Sequence, residues 1–154
     1  PERFNTCEEI ASEAISRNVS PVIAVSMAWE ESRFQKEAVS RTGCCHGPLQ
    51  INPSYFCEEG KLENCDLISD GVSAVKNFHY RFSRSISSEP FRLFAVEHQR
   101  EWAEPLCHYN AGNRCTPRSR AYARRIIRRA DRLSDALVFN SDRISDRINA
   151  QICI

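Results

Sequence analysis

A chain of 154 residues that is 42% hydrophobic and 27% charged can fill one real core but hardly two, so a single domain over residues 1–154 is expected. Its 21 basic and 20 acidic residues leave a formal net charge of +1, which provides no overall field for a nucleic acid, and none is expected as a partner. No apolar run reaches the ~20 residues that span a bilayer, and the opening Pro1-Glu2-Arg3 is not a basic stretch followed by an apolar one, so the chain reads as a trimmed, soluble product without a membrane span.

In chain order, Asn5 or Thr6 is a candidate cap for a first helix, with Glu8 and Glu9 in its first turn. Cys7, Ile10, Ala11, Ala14 and Ile15 form its apolar stripe, and it should end near Asn18. Ser20 and Pro21 form an N-cap and N1 pair for a second helix through Val22, Ile23, Val25, Met27, Ala28 and Trp29 to about Phe34. That helix is apolar on most faces, which predicts a central position. Residues 40–60 hold glycines, prolines and cysteines with little helical period, which predicts turns and a short hairpin.

Ser69 or Asp70 should begin a third helix carrying Val72, Val75, Phe78, Phe82 and Ile86. Ser88 and Pro90 should begin another through Phe91, Phe94 and Ala95, and a short helix is expected from Trp102 to Tyr109. The last long helix begins near Thr116-Pro117 and places Tyr122, Ile126, Ala130, Leu133 and Leu137 at three- and four-residue spacing. Asn140-Ser141-Asp142 should break it before a tail with Ile144, Ile148 and Ile152. Its arginines (118, 120, 124, 125, 128, 129 and 132) read as a solvated face partly paired with Glu or Asp. The sharper alternative is a grip on acidic peptides or membrane phosphates.

Eight cysteines, at 7, 44, 45, 57, 65, 107, 115 and 153, are an even number in a short chain, which favours disulfides and an oxidising compartment. Connectivity is open on spacing alone. As guesses, Cys57 with Cys65 and Cys107 with Cys115 would each close a short loop, and Cys7 with Cys153 would tie the termini. Zinc competes on paper, because His46 follows Cys44-Cys45 and His108 follows Cys107, but no zinc-finger spacing occurs. No metal and no cofactor are expected.

Glu31 closes the apolar second helix, where desolvation and the negative end of the helix dipole would both raise its pKa. Taken alone, it also reads as an ordinary solvent-facing acid at a helix end. Glu30 lies roughly 100° away around the helix, so one of the pair faces any cleft. Gln50 and Asn110 offer amide donors and acceptors, and Tyr109 offers a ring and a hydroxyl, as a polar ligand site would use. The plainer readings are loop backbone satisfaction for Gln50 and Asn110, and a core position for Tyr122.

Three segments taken together resemble one family. Glu31-Ser32-Arg33-Phe34 leads to Ser40-Arg41-Thr42-Gly43 and Gly47-Pro48-Leu49-Gln50-Ile51, and Tyr109-Asn110-Ala111-Gly112 and Tyr122 follow. This order resembles the lytic transglycosylases of the lysozyme-like superfamily that includes goose-type lysozymes, over roughly residues 20–130. Cys44-Cys45-His46 adds about one residue to the family pattern, Pro48 and Leu49 stand for the usual Leu and Met, and His108 replaces a small residue.

The resemblance implies a mainly α (α+β) lysozyme-like fold, helix-dominated with a small irregular or β-containing lobe. It selects Glu31 as the catalytic acid, with Ser32, Gln50, Tyr109, Asn110 and Tyr122 as substrate-binding residues and Tyr122 approaching the acid. The implied substrate is the glycan strand of peptidoglycan, with oligomers of N-acetylglucosamine as soluble ligands. The implied product of one Glu acting as acid and then base is a 1,6-anhydro sugar. A monomer is expected, acting outside the cytoplasm as a phage virion or lysis enzyme or as a periplasmic bacterial enzyme. A lysozyme using water, an endopeptidase cutting peptide cross-links and a non-catalytic glycan-binding module are the alternatives. The endopeptidase would need a metal-binding His pair, which is absent, or a free thiol, which the even cysteine count argues against.

Overall fold

The computed structural model describes residues 1–83, 100–139, 152 and 153. Within them run α1 (Glu2–Ser16), α2 (Pro21–Ser32), the one-turn α3 (Pro53–Phe56), α4 (Ser69–Phe82), α5 (Ala103–Ala111) and α6 (Pro117–Phe139). The protein is mainly α. α4 ends at Phe82 because Ser83 takes extended backbone, at φ −90° and ψ 138°, so it stops short of the Ile86 expected of it. Ile86 itself, the helix from Ser88 and Pro90 through Phe91, Phe94 and Ala95, and the break at Asn140-Ser141-Asp142 before Ile144 and Ile148 lie outside the described residues.

α2 forms where its signals predict. The Ser20 hydroxyl accepts from the Ile23 N–H at 3.4 Å and Pro21 occupies the first helical position, where a missing N–H costs nothing. It stops at Ser32 rather than Phe34, because Arg33 and Phe34 both take left-handed backbone, at φ 54° and 63°. Every residue from Pro21 to Ala28 is buried, with α1 and α6 packed along it. Burial of Val22, Ile23, Val25 and Met27 is worth about 1.5–3 kcal/mol for each side chain, so packing rather than propensity holds this helix.

α1 begins a full turn before the expected cap. Pro1 C=O accepts from the Asn5 N–H at 3.0 Å, and the Thr6 hydroxyl bonds back to Glu2 C=O at 3.0 Å. A hydroxyl bonded back inside a helix no longer caps one. α6 starts where predicted, with a reciprocal cap. The Ser119 N–H donates to Thr116 Oγ1 at 3.1 Å, and the Thr116 N–H donates to Ser119 Oγ at 2.7 Å. Tyr122, Ile126 and Ala130 face the core, while Arg118, Arg124 and Arg128 are exposed. Arg120 pairs with Glu104 and Arg125 with Glu30, the partly paired face expected of such a run.

The segment between α2 and α4 carries only two isolated antiparallel bridges among the described residues, Val39 with His46 and His46 with Ile51. A hairpin ladder does not extend here, because Gly43, Gly47 and Gln50 take positive φ of 76°, 81° and 50° and so turn the chain away from extended geometry. At Gly47 a Cβ would stand 2.8 Å from Leu67 Cβ, so glycine is required twice over, by conformation and by space.

The cysteines pair as Cys7–Cys153, Cys44–Cys45, Cys57–Cys65 and Cys107–Cys115. The first, third and fourth are the pairings guessed from the sequence, and the bridge between neighbours was not anticipated. Cys7–Cys153 spans 146 positions and anchors α1 to the end of the chain. Because loop-closure stabilisation grows with loop length, Cys7→Ala with Cys153→Ala is expected to cost on the order of 2–5 kcal/mol. Equilibrium urea unfolding of the double variant checks this, and a loss below about 1 kcal/mol would count against the loop argument.

Candidate functional site

The packing of α6 on α2 brings two adjacent acids against two residues one turn apart. Tyr122 O–H donates to Glu31 Oε1 at 2.5 Å, and Arg125 Nε donates to Glu30 Oε1 at 3.1 Å. Spacing of three on α6 puts Tyr122 and Arg125 on one side of that helix. The roughly 100° step between Glu30 and Glu31 then sends each carboxylate to a different partner.

Burial pushes the Glu31 carboxyl up from 4.5 to about 7. The Tyr122 hydrogen bond works against that rise by stabilising the charged form, and the charge of Glu30 adds to it. Burial likewise raises the Tyr122 and Tyr109 phenols well above their ordinary value, with the negative charge of Glu31 the next cause in each. Both phenols therefore keep their protons, and Tyr122 is the donor to the ionised Glu31 carboxylate. Tyr122 is 5% exposed, so it is at once a core residue and the carboxyl's partner.

The loop before α3 forms the other wall. Ser32, the residue after the acid, is buried, and its hydroxyl donates to Pro48 C=O at 2.9 Å and Ala28 C=O at 3.1 Å. Ser32, expected from the sequence as a substrate contact, thus has its hydroxyl engaged in tying the acid's helix to the loop. Tyr109 O–H donates to Leu49 C=O at 2.6 Å, and its half-buried ring stands edge-on to Phe78 with centroids 5.1 Å apart. Leu49 itself is fully buried beneath Gly71 of α4, where a Cβ would meet Leu49 Cδ1 at 2.9 Å.

Gln50 directs its amide nitrogen inward, donating to Gly47 C=O at 2.9 Å and Ala38 C=O at 3.1 Å. Both of its donors are thereby occupied within the loop, which leaves its carbonyl oxygen as the side chain's remaining polar group. Asn110 is exposed near the end of α5. The arrangement brings Glu31, Tyr122, Tyr109 and the loop carrying Gln50 together, and leaves Asn110 on the outer rim of α5.

Because Gln50 bridges two backbone carbonyls across a turn, Gln50→Ala is expected to cost about 1–2 kcal/mol of stability. Thermal melts check this. An unchanged midpoint would return Gln50 to a purely ligand-facing role.

Arg125 as the partner of Glu30, and Phe78 as the wall behind Tyr109, were not assigned from the sequence. Helical spacing placed each on a face, but only the packing of one helix on another decides which face meets which. A third contact extends the same seam: Arg129 stands over the Trp29 ring at 4.6 Å, and Arg33 approaches that ring at 4.5 Å.

Chemically, a carboxyl that is half-protonated near neutrality, held by a phenol and set between a loop and an aromatic ring, is equipped to donate and then reaccept a proton. The neighbouring acid, Glu30, is engaged with Arg125. Among the described residues no helix is long and apolar enough to cross a membrane, and four disulfides are compatible with a secreted or extracytoplasmic protein. No protein-family model matches the chain, and no curated protein or solved structure matches it either.

Proposed function

We propose that this chain cleaves the β-1,4 bond between N-acetylmuramic acid and N-acetylglucosamine in peptidoglycan, as a lytic transglycosylase with Glu31 as its single acid and base. The observation that carries the reading is the Glu31 carboxyl at the end of a buried helix, raised to about 7 and hydrogen-bonded at 2.5 Å by Tyr122 from a helix ninety-one positions on. The motif order Glu31-Ser32, Gly47-Pro48-Leu49-Gln50-Ile51 and Tyr109-Asn110-Ala111-Gly112 supplies the substrate class through its resemblance to that family.

In the proposed reaction the protonated Glu31 gives its proton to the glycosidic oxygen as the C1–O bond breaks. The substrate's own N-acetyl oxygen bonds to C1 and takes up the developing charge, which is why one carboxyl suffices. The Glu31 carboxylate then removes the proton of the 6-hydroxyl as that oxygen attacks C1 and the bond from the N-acetyl oxygen to C1 breaks, closing the 1,6-anhydro ring and restoring both the N-acetyl group and the acid. Tyr122 holds the carboxylate in place between the two proton transfers. Tyr109, Asn110 and the carbonyl of Gln50 border the sugar. The enzyme acts as a monomer on the wall outside the cytoplasm, from a phage particle or lysis system or as a periplasmic protein.

Mass spectrometry of the products released from purified peptidoglycan tests the reading. Anhydro sugars are the expected result. Reducing ends would replace the 6-hydroxyl by water and make the protein a lysozyme. New amino groups would overturn the reading in favour of a peptidase, and an intact polymer would overturn it in favour of a binding module.

A further inference from the structure

The bridge between Cys44 and Cys45 differs from the other three in two respects. A disulfide stabilises chiefly by closing a loop in the unfolded chain, and between sequence neighbours there is no loop to close, so this bridge is not a staple of the fold. It is also the open one. Cys44 is exposed and Cys45 half-buried, whereas every other bridge has a buried member, Cys7, Cys57 or Cys107. Exchange requires an attacking thiolate to reach a sulfur, and exposed disulfides are accordingly the labile ones.

What the bridge does hold is a turn. The Ser40 N–H donates to Cys45 C=O at 3.0 Å, the Cys45 N–H donates to Ser40 Oγ at 3.2 Å, and that same oxygen lies 3.6 Å from Cys44 Sγ. The turn closes the Val39–His46 bridge. Directly after it come the two carbonyls that grip the candidate site, Pro48 C=O on the Ser32 hydroxyl and Leu49 C=O on the Tyr109 hydroxyl. A short run of backbone therefore connects an accessible sulfur to the residue beside Glu31.

We propose that Cys44–Cys45 is a thiol–disulfide exchange site for small dithiols, and that its redox state sets how firmly residues 46–51 are held against the end of α2. One thiolate of the dithiol attacks Cys44 Sγ, breaking the bond to Cys45 and releasing the Cys45 thiolate. The second thiol of the reagent attacks the mixed disulfide and frees Cys44 as the reagent closes into its cyclic disulfide. Two electrons pass to the protein, and the two protons lost by the dithiol end on the two cysteines. Reduction leaves the three stapling bridges in place, so the turn loosens while the core remains. This goes beyond the glycan-cleaving reading and does not rest on it.

The test uses the full native chain with limiting dithiothreitol, rapid alkylation and peptide mass mapping. Cys44 and Cys45 are expected to be labelled at least about tenfold faster than any other cysteine. Amide exchange of residues 46–51 is then expected to rise by about tenfold in the selectively reduced protein, with α1 and α6 unchanged. The Cys44→Ser, Cys45→Ser double variant should show the same raised exchange and no further response to dithiothreitol. Opening of another bridge first, reduction of this one without a change in exchange at 46–51, or failure of the double variant to fold would each overturn the proposal. If glycan is cleaved, the rate should fall alike in the reduced protein and the variant, and an unchanged rate would overturn the link to the site. If glycan is untouched in both redox states, the glycan-cleaving reading fails while labelling and exchange still decide this one.

Discussion

Replacing Glu31 with glutamine is expected to lower the proposed glycan cleavage by about 10²–10⁴-fold, the usual loss when a general acid is removed, with the fold intact. Glutamine keeps the shape and can still accept the Tyr122 hydrogen bond through its carbonyl oxygen, so the change isolates the proton. Glu30→Gln is the matched control. Its carboxylate faces Arg125 rather than Tyr122, so most activity should remain. Removing its charge should also lower the Glu31 pKa, since that charge helps hold it up. The alkaline limb of the pH profile should then move to lower pH in Glu30→Gln. Wall-clearing assays of both variants on purified peptidoglycan decide the matter: an inactive Glu30→Gln, or a fully active Glu31→Gln, would remove Glu31 from the chemistry.

The second large effect is on stability, and it does not depend on any substrate. Glu31 holds its proton more tightly in the folded protein, where its pKa is about 7, than at its ordinary value of 4.5. Between those values the folded state binds the extra proton, so stability falls as pH rises through that window and levels off above it. The full difference amounts to roughly 3 kcal/mol as an upper value, because a pKa unit corresponds to about 1.4 kcal/mol. Glu31→Gln carries no titrating proton. It should match the parent near pH 4 and exceed it by up to that amount near pH 8, measured by urea unfolding across a pH series. Equal stability of the two proteins at both ends would mean that the carboxylate is solvated, and the general-acid argument would lose its physical basis. Activity requiring the protonated carboxyl should instead decline as pH rises through about 7, where the folded protein loses that proton.

Much of the helical layout was legible because its signals are local. Ser20-Pro21 and Thr116-Pro117 mark helix starts through the geometry of a cap and a missing N–H. The apolar run after Pro21 predicts a central helix, and burial from Pro21 to Ala28 agrees. Local signals also misled: Thr6 looks like a cap but bonds back within α1, and the glycine- and cysteine-rich segment suggested a hairpin where positive φ values allow only isolated bridges. Three cysteine pairings match guesses made from short loops and joined termini, whereas Cys44–Cys45 closes no loop and so left no such trace.

What the sequence by itself determined is the five longer helices of the described residues and the placing of Glu31 at the end of an apolar one, both readable from neighbours within about a turn, together with the motif order that suggests a substrate. What only the tertiary structure decided is which partner each side chain meets. Tyr122 reaches Glu31, Arg125 takes Glu30, Ser32 holds Pro48 C=O and Tyr109 holds Leu49 C=O. Those contacts depend on the angle and register at which α6 and α5 pack against α2 and the loop, which arise from the fit of whole helix surfaces rather than from any one residue. The raised pKa of Glu31 belongs to the same level, since desolvation is a property of everything packed around the carboxyl.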